Sequence, residues 1–178
     1  MKSSVVICVY TEDRWEDIRQ AVESVELQRR PAHEIILVVD YNQDLMLRLK
    51  QAYPRVVVVE NTHDKGLSGG KNTGADVATG DIVAYLDDDA VADPGWLEAL
   101  EEGFQDPAVV GVGGRTEPLW QTGRRAPVVP LRVRLDRGVQ LPRHARRTLA
   151  DPQRHGRQRR LQAYGGGRGR RFPQRHRP

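Results

Sequence analysis

Short runs of β-branched and aliphatic residues punctuate the first two thirds of the chain: Val5 to Tyr10, Glu34 to Asp40, Val56 to Asn61, Ile82 to Leu86 and Val109 to Val112. None alternates cleanly between apolar and polar positions. Near-continuous Val and Ile is what a strand covered on both faces requires, so these runs predict five strands of a largely parallel sheet. Helical spacing fills the gaps. Trp15, Ile18, Ala21, Val22 and Val25 recur every three or four residues and predict a first amphipathic helix, with Trp15 in the core. Leu45, Leu47, Leu49 and Ala52 predict a second that ends before Pro54. A third is expected from about Gly70 to Ala78, its small residues permitting close approach to the sheet. The fourth should open with Asp93 as N-cap and Pro94 as its first residue, with Trp96, Leu97, Leu100 and Phe104 as the buried stripe.

Strands alternating with helices imply right-handed crossovers and a three-layer, Rossmann-like α/β sandwich. Ligands of such sheets bind at the carboxyl ends of the strands. That edge should gather Thr11-Glu12-Asp13, Asp40-Tyr41, the segment from Asn61 to Asn72, and Asp87 to Asp89.

The pattern stops near Gly123, and the charge changes with it. Residues 1–123 carry 11 basic and 22 acidic side chains, whereas residues 124–178 carry 17 Arg and 2 Asp. The overall charge of +4 thus joins an acidic domain to a basic tail, which excludes a uniformly basic nucleic-acid-binding domain. Arg, Pro and Gly make up 29 of the tail's 55 residues, and Lys, Glu and Ile are absent from it. Such a segment buries too little apolar surface to offset its ordering entropy. It is expected to be disordered, or to be the product of a shifted reading frame. A single cysteine, Cys8, excludes an internal disulfide and a Cys-based zinc site. Mid-strand, it should be an inert buried thiol. No run approaches the roughly 20 apolar residues of a membrane span. A cytoplasmic location is expected, at most peripheral at the inner face of a membrane.

Two segments carry chemistry. In Ala84-Tyr85-Leu86-Asp87-Asp88-Asp89 an apolar strand runs into three carboxylates, with alternation placing Asp87 and Asp89 on one side and Asp88 on the other. Like charges this close repel unless a cation compensates, and Mg²⁺ or Mn²⁺ prefers such hard oxygen ligands. The second segment, Asp64 to Gly74, is glycine-rich and enters the third helix, where backbone amides favour anions. It is not a Walker A loop, because Lys65 and Asn72 stand where that motif needs Gly and Ser or Thr. His63 and Asp64, beside it, read as a solvated turn more than as donor contacts.

Together, Val5-Val6-Ile7-Cys8-Val9-Tyr10-Thr11, Val38-Val39-Asp40, Gly66-x-x-Gly-Gly-Lys-Asn-Thr-Gly74 and Leu86-Asp-Asp-Asp-Ala-Val91 resemble the family 2 glycosyltransferases of GT-A fold, in order and spacing, over residues 3 to 117. The resemblance implies a nucleoside diphosphate sugar donor, a UDP-sugar foremost, a divalent cation, and transfer with inversion. It implies that Thr11 and Glu12 face the nucleoside and Asp40 the base. Lys71, standing where the family more often has Arg, would meet the nucleotide. Asp87 and Asp89 would form the Asp-x-Asp pair on the metal, with Asp87 and Asp88 in the donor site. The family's general base lies downstream, where only Asp136 and Asp151 are available in unpatterned sequence, so no base is assigned. Glu117 is expected to line the cleft. The acceptor, whether glycan, lipid or small molecule, is undetermined, and no specific nucleic acid is expected. Two alternatives stand beside this reading: a donor-capturing module without turnover, and a nucleic-acid binder acting through its basic tail.

Overall fold

The computed structural model describes residues 1–116 and 161–164. In chain order the elements are β1 (Ser3–Val9), α1 (Trp15–Glu26), β2 (Glu34–Val39), α2 (Gln43–Ala52), β3 (Val57–Glu60), α3 (Leu67–Val77), β4 (Ile82–Asp87), α4 (Trp96–Gly103), β5 (Gly111–Gly113) and β6 (Leu161–Tyr164). The strands form one sheet in the order β3-β2-β1-β4-β6-β5, and each of its pairings is parallel.

The two faces follow from strand alternation. Val5, Ile7 and Val9 of β1 pack with Ile18, Val22 and Val25 of α1, Leu45 and Leu49 of α2, and Leu97 and Leu100 of α4. Val6 points the other way, joining Ile36, Val38, Val83 and Tyr85 beside Ala78, which follows α3. The result is the expected three-layer sandwich, each buried aliphatic side chain contributing about 1.5–3 kcal/mol. Trp96 is buried, while half-buried Trp15 packs on the larger core, facing Tyr53 with ring centroids 6.3 Å apart.

α3 lies close on its face of the sheet because its inner positions lack side chains. A Cβ on Gly70 would sit 3.0 Å from Cys8 Sγ, and one on Gly74 would sit 2.3 Å from Val6 Cγ1. The helix begins at Leu67, three residues before the expected start, with Gly66 at φ 118° as its N-cap. That backbone conformation is one L side chains rarely adopt.

The start of α4 also differs from expectation. Gly95 is the N-cap and no side chain caps the helix. Asp93 contributes its carbonyl instead, accepting from Trp96 N at 2.9 Å, and the Pro94 carbonyl accepts from Arg29 N at 2.8 Å. Asp93-Pro94-Gly95 therefore forms a turn that ties the helix entrance to the end of α1.

A further difference concerns the segment expected to lack regular structure. Its residues Leu161–Tyr164 form β6, pairing with β4 from Ile82↔Leu161 to Tyr85↔Tyr164 and with β5 from Gly111↔Gln162 to Gly113↔Tyr164. Composition averaged over 55 residues hides a four-residue run flanked by Arg and Gly. The remainder of the tail lies outside the described residues, as do Glu117, Asp136 and Asp151. No helix among the described residues is long and apolar enough to cross a membrane.

Because a Cβ on Gly74 would fall 2.3 Å from Val6 Cγ1, Gly74→Ala should push α3 off the sheet. A loss of about 1–3 kcal/mol is expected in urea unfolding, the usual cost of overpacking, and Val6→Ala in the same chain should recover part of it.

Candidate functional site

Parallel strands end on the same side, and here the register decides which residues meet. β1 pairs Cys8 with Val38 on one flank and with Asp87 on the other. Asp40, one residue past β2, and Asp87, the last residue of β4, are thereby brought to a common edge on either side of β1. A cleft of about 380 Å³ opens there. Tyr10 and Arg14 line it from the β1–α1 connection, Asp40 from β2, Gly66, Leu67, Gly70 and Lys71 from the glycine-rich segment, and Asp87, Asp88 and Asp89 from β4. Cys8 lines it too, half-buried rather than sealed in the core.

The glycine-rich segment is held by Asp40. Its Oδ1 accepts from Asn61 Nδ2 at 2.8 Å and from Gly66 N at 3.1 Å, and its Oδ2 lies 3.0 Å from the same Gly66 N. Asn61 is almost fully buried and extends the staple. Its Nδ2 donates to the Asp64 carbonyl at 3.0 Å, and its Oδ1 accepts from Thr73 Oγ1 at 2.8 Å and His63 N at 3.0 Å. The loop is thus shaped before any ligand arrives. On its outer side His63 Nε2 lies 2.9 Å from Asp76 Oδ2, where both side chains are exposed. Lys71, in the first two turns of α3, holds its Nζ 5.6 Å from the Tyr85 ring centroid.

The aspartate turn is compensated differently. β4 ends at Asp87, so the expected alternation does not continue through the next two residues. Arg14 Nη1 reaches both, at 2.8 Å to Asp88 Oδ1 and 3.4 Å to Asp89 Oδ2. Asp88 is 6 % exposed, and its Oδ2 has no hydrogen-bond partner among the described residues. Burial pushes its carboxyl up to about 6, against the attraction of Arg14 and aided by repulsion from Asp89. For Arg14, burial opposes the charge, but Asp88, Tyr10 and Asp89 together outweigh it and the guanidinium is held above its usual value. The guanidinium also lies 5.4 Å from the centroid of the Tyr10 ring.

Of the residues singled out from sequence, Asp40, Lys71, Asp87, Asp88 and Asp89 converge on the cleft. Thr11 and Glu12 do not line it. Thr11 caps a turn of 3-10 helix, its Oγ1 accepting from Asp13 N at 3.2 Å, and Glu12 lies 3.9 Å from Arg48 of α2. Arg14 was not anticipated. It closes the charged run Glu12-Asp13-Arg14, and its partner is 74 residues away.

The cleft's charge bears on what it can hold. Four carboxylates face two cationic side chains, so at neutral pH a diphosphate entering alone would meet net repulsion. Among the described residues no group of three or more His, Cys, Asp or Glu is disposed to hold a metal. Mg²⁺ commonly takes only one or two protein carboxylates, so Asp87 and Asp89, both lining the cleft, are the residues that could hold an ion shared with a phosphate ligand.

A parallel sheet whose carboxyl edge presents a shaped glycine-rich helix start opposite an aspartate turn is a GT-A domain. The model of glycosyl transferase family 2 matches residues 4–164, and the chain belongs to that family. It is similar to the glucosyl-dolichyl phosphate glucuronosyltransferase of Haloferax volcanii, 39 % identical over 124 residues, which cover 67 % of this chain and 40 % of that protein. It is also similar to polypeptide N-acetylgalactosaminyltransferase 5 of Rattus norvegicus, 32 % identical over 108 residues, 56 % of this chain and 11 % of that one. Among solved structures, S. aureus TarS in complex with UDP-GlcNAc shares the fold with a TM-score of 0.56 at 21 % identity, over 71 % of this chain and 37 % of that one. The chain therefore spans well under half the length of these relatives.

Cys8 offers a probe of the cleft. Burial, with Asp87, Asp88 and Asp40 nearby and only Lys71 opposing, pushes its thiol up to about 12. Iodoacetamide at pH 8 should modify the native chain at least roughly 100-fold more slowly than the unfolded one, because the thiolate is the nucleophile. The folded thiol holds its proton more tightly than the unfolded thiol, whose ordinary value is 9.0. Stability should thus be full below about pH 9 and decline toward 12, by a component that Cys8→Ala lacks in paired denaturation curves.

Proposed function

We propose that the chain binds a nucleoside diphosphate sugar, a UDP-sugar foremost, in the cleft at the carboxyl edge of the sheet. There it serves the transfer of the sugar to an acceptor hydroxyl with inversion. The observation that carries this reading is the convergence of Asp40, Lys71 and the turn from Asp87 to Asp89 on one cleft in a family 2 chain. The UDP-GlcNAc bound to S. aureus TarS supports the donor class. Asp40 and the loop it shapes form the side suited to the base. Lys71 at the amino-terminal end of α3 offers positive charge to the nucleotide's phosphates, aided by the helix dipole. Asp87 and Asp89 would hold Mg²⁺ or Mn²⁺, which when bound supplies positive charge to the diphosphate leaving group. In the transfer the acceptor oxygen bonds to the anomeric carbon as the bond to the diphosphate oxygen breaks. No described residue is assigned as the base that takes the hydroxyl proton. A cytoplasmic setting accords with a chain whose single cysteine forms no internal disulfide.

The alternative reading is capture of the donor without turnover. Titration calorimetry with UDP-sugars, with and without Mn²⁺, tests the site, and a coupled assay for released UDP separates the readings. Metal-dependent binding is expected in the wild type. Asp89→Ala should weaken it by at least about tenfold, the loss of a ligand held by charge; unchanged affinity would sink the site.

A further inference from the structure

Arg14 belongs to none of the roles so far assigned, yet it makes the shortest polar contact to the aspartate turn. Its two bonds are unequal. One runs 2.8 Å to Asp88, whose side chain is 8 % exposed; the other runs 3.4 Å to Asp89, 23 % exposed. Both come from Nη1, so the guanidinium does not clasp either carboxylate with its full fork. Asp88 leaves its Oδ2 buried without a partner, and Arg14 is its charge compensation. Losing the Arg14 contact would therefore cost Asp88 far more than Asp89, which keeps access to the cleft. A planar cation on a buried anchor, touching the more exposed carboxylate beside it, occupies an oxygen that a divalent ion would need.

Resting on the metal-dependent donor reading, we infer that Arg14 is a resident counter-cation of the aspartate turn. It competes with the divalent ion for Asp89 and remains on Asp88 when the ion binds. The arrangement would keep Asp89 oriented and partly neutralised at low metal concentration, and set a threshold for metal entry. Arg14 acts through Asp89 and is a positioning residue.

The test is the affinity for Mn²⁺ alone, read from the free-ion signal in electron paramagnetic resonance, for the wild type, Arg14→Gln and Arg14→Lys. Removing a partly exposed competing contact should tighten Mn²⁺ binding about twofold to fivefold in Arg14→Gln. Arg14→Lys preserves the charge, but a point ammonium seated on Asp88 does not span to Asp89. It should also tighten binding, by a smaller factor, which a pure net-charge effect would not produce. Unchanged or weaker binding in Arg14→Gln overturns the inference, as does a wild-type affinity in Arg14→Lys. The lysine variant decides alone if the glutamine variant does not fold. A wild type that binds Mn²⁺ with both variants unaltered overturns only the role of Arg14. If neither the wild type nor the variants bind Mn²⁺, with or without UDP, the metal reading falls as well.

Discussion

Like charges at short range govern this domain. Parallel strands deliver their ends to one edge, and four of the residues found there are aspartates. Asp87 is exposed, but Asp40, Asp88 and Asp89 are wholly or partly buried and each needs a counterpart. The two flanks meet that need in different ways. Asp40 is satisfied by neutral donors, an amide side chain and a backbone N–H, and in accepting them it fixes the glycine-rich loop. Asp88 and Asp89 are met by a full positive charge from a turn far away in sequence. Neutral satisfaction gives shape, while ionic satisfaction leaves a charge that another ion can replace.

The architecture was legible where hydrophobic periodicity was strong. The five predicted runs are strands, and the stripe Ile18, Ala21, Val22, Val25 is buried as its spacing requires. Small residues in α3 told that it would lie close to the sheet, but not where it begins, because a glycine at positive φ announces no helix start in sequence. Asp93 has the right chemistry for a cap and the wrong local geometry, since Pro94 and Gly95 build a turn first. The four residues of β6 were lost in the composition of the tail.

The site was legible in part for a similar reason. Asp40, Lys71 and the aspartate run lie at strand or helix ends, where topology alone predicts convergence. Arg14 and Cys8 depend on which way a turn directs its side chains, and on pairing across 74 residues or more. Periodicity carries neither kind of information. Thr11 and Glu12 illustrate the converse: right edge, but their side chains serve the turn itself.

The bond from Gly66 N to the Asp40 carboxylate has a mechanical consequence. Because one carboxylate both faces the cleft and latches the entrance of α3, a ligand that draws on its oxygens must compete with the latch. A ligand that displaced the Gly66 N–H from Asp40 would loosen the entrance of the helix bearing Lys71.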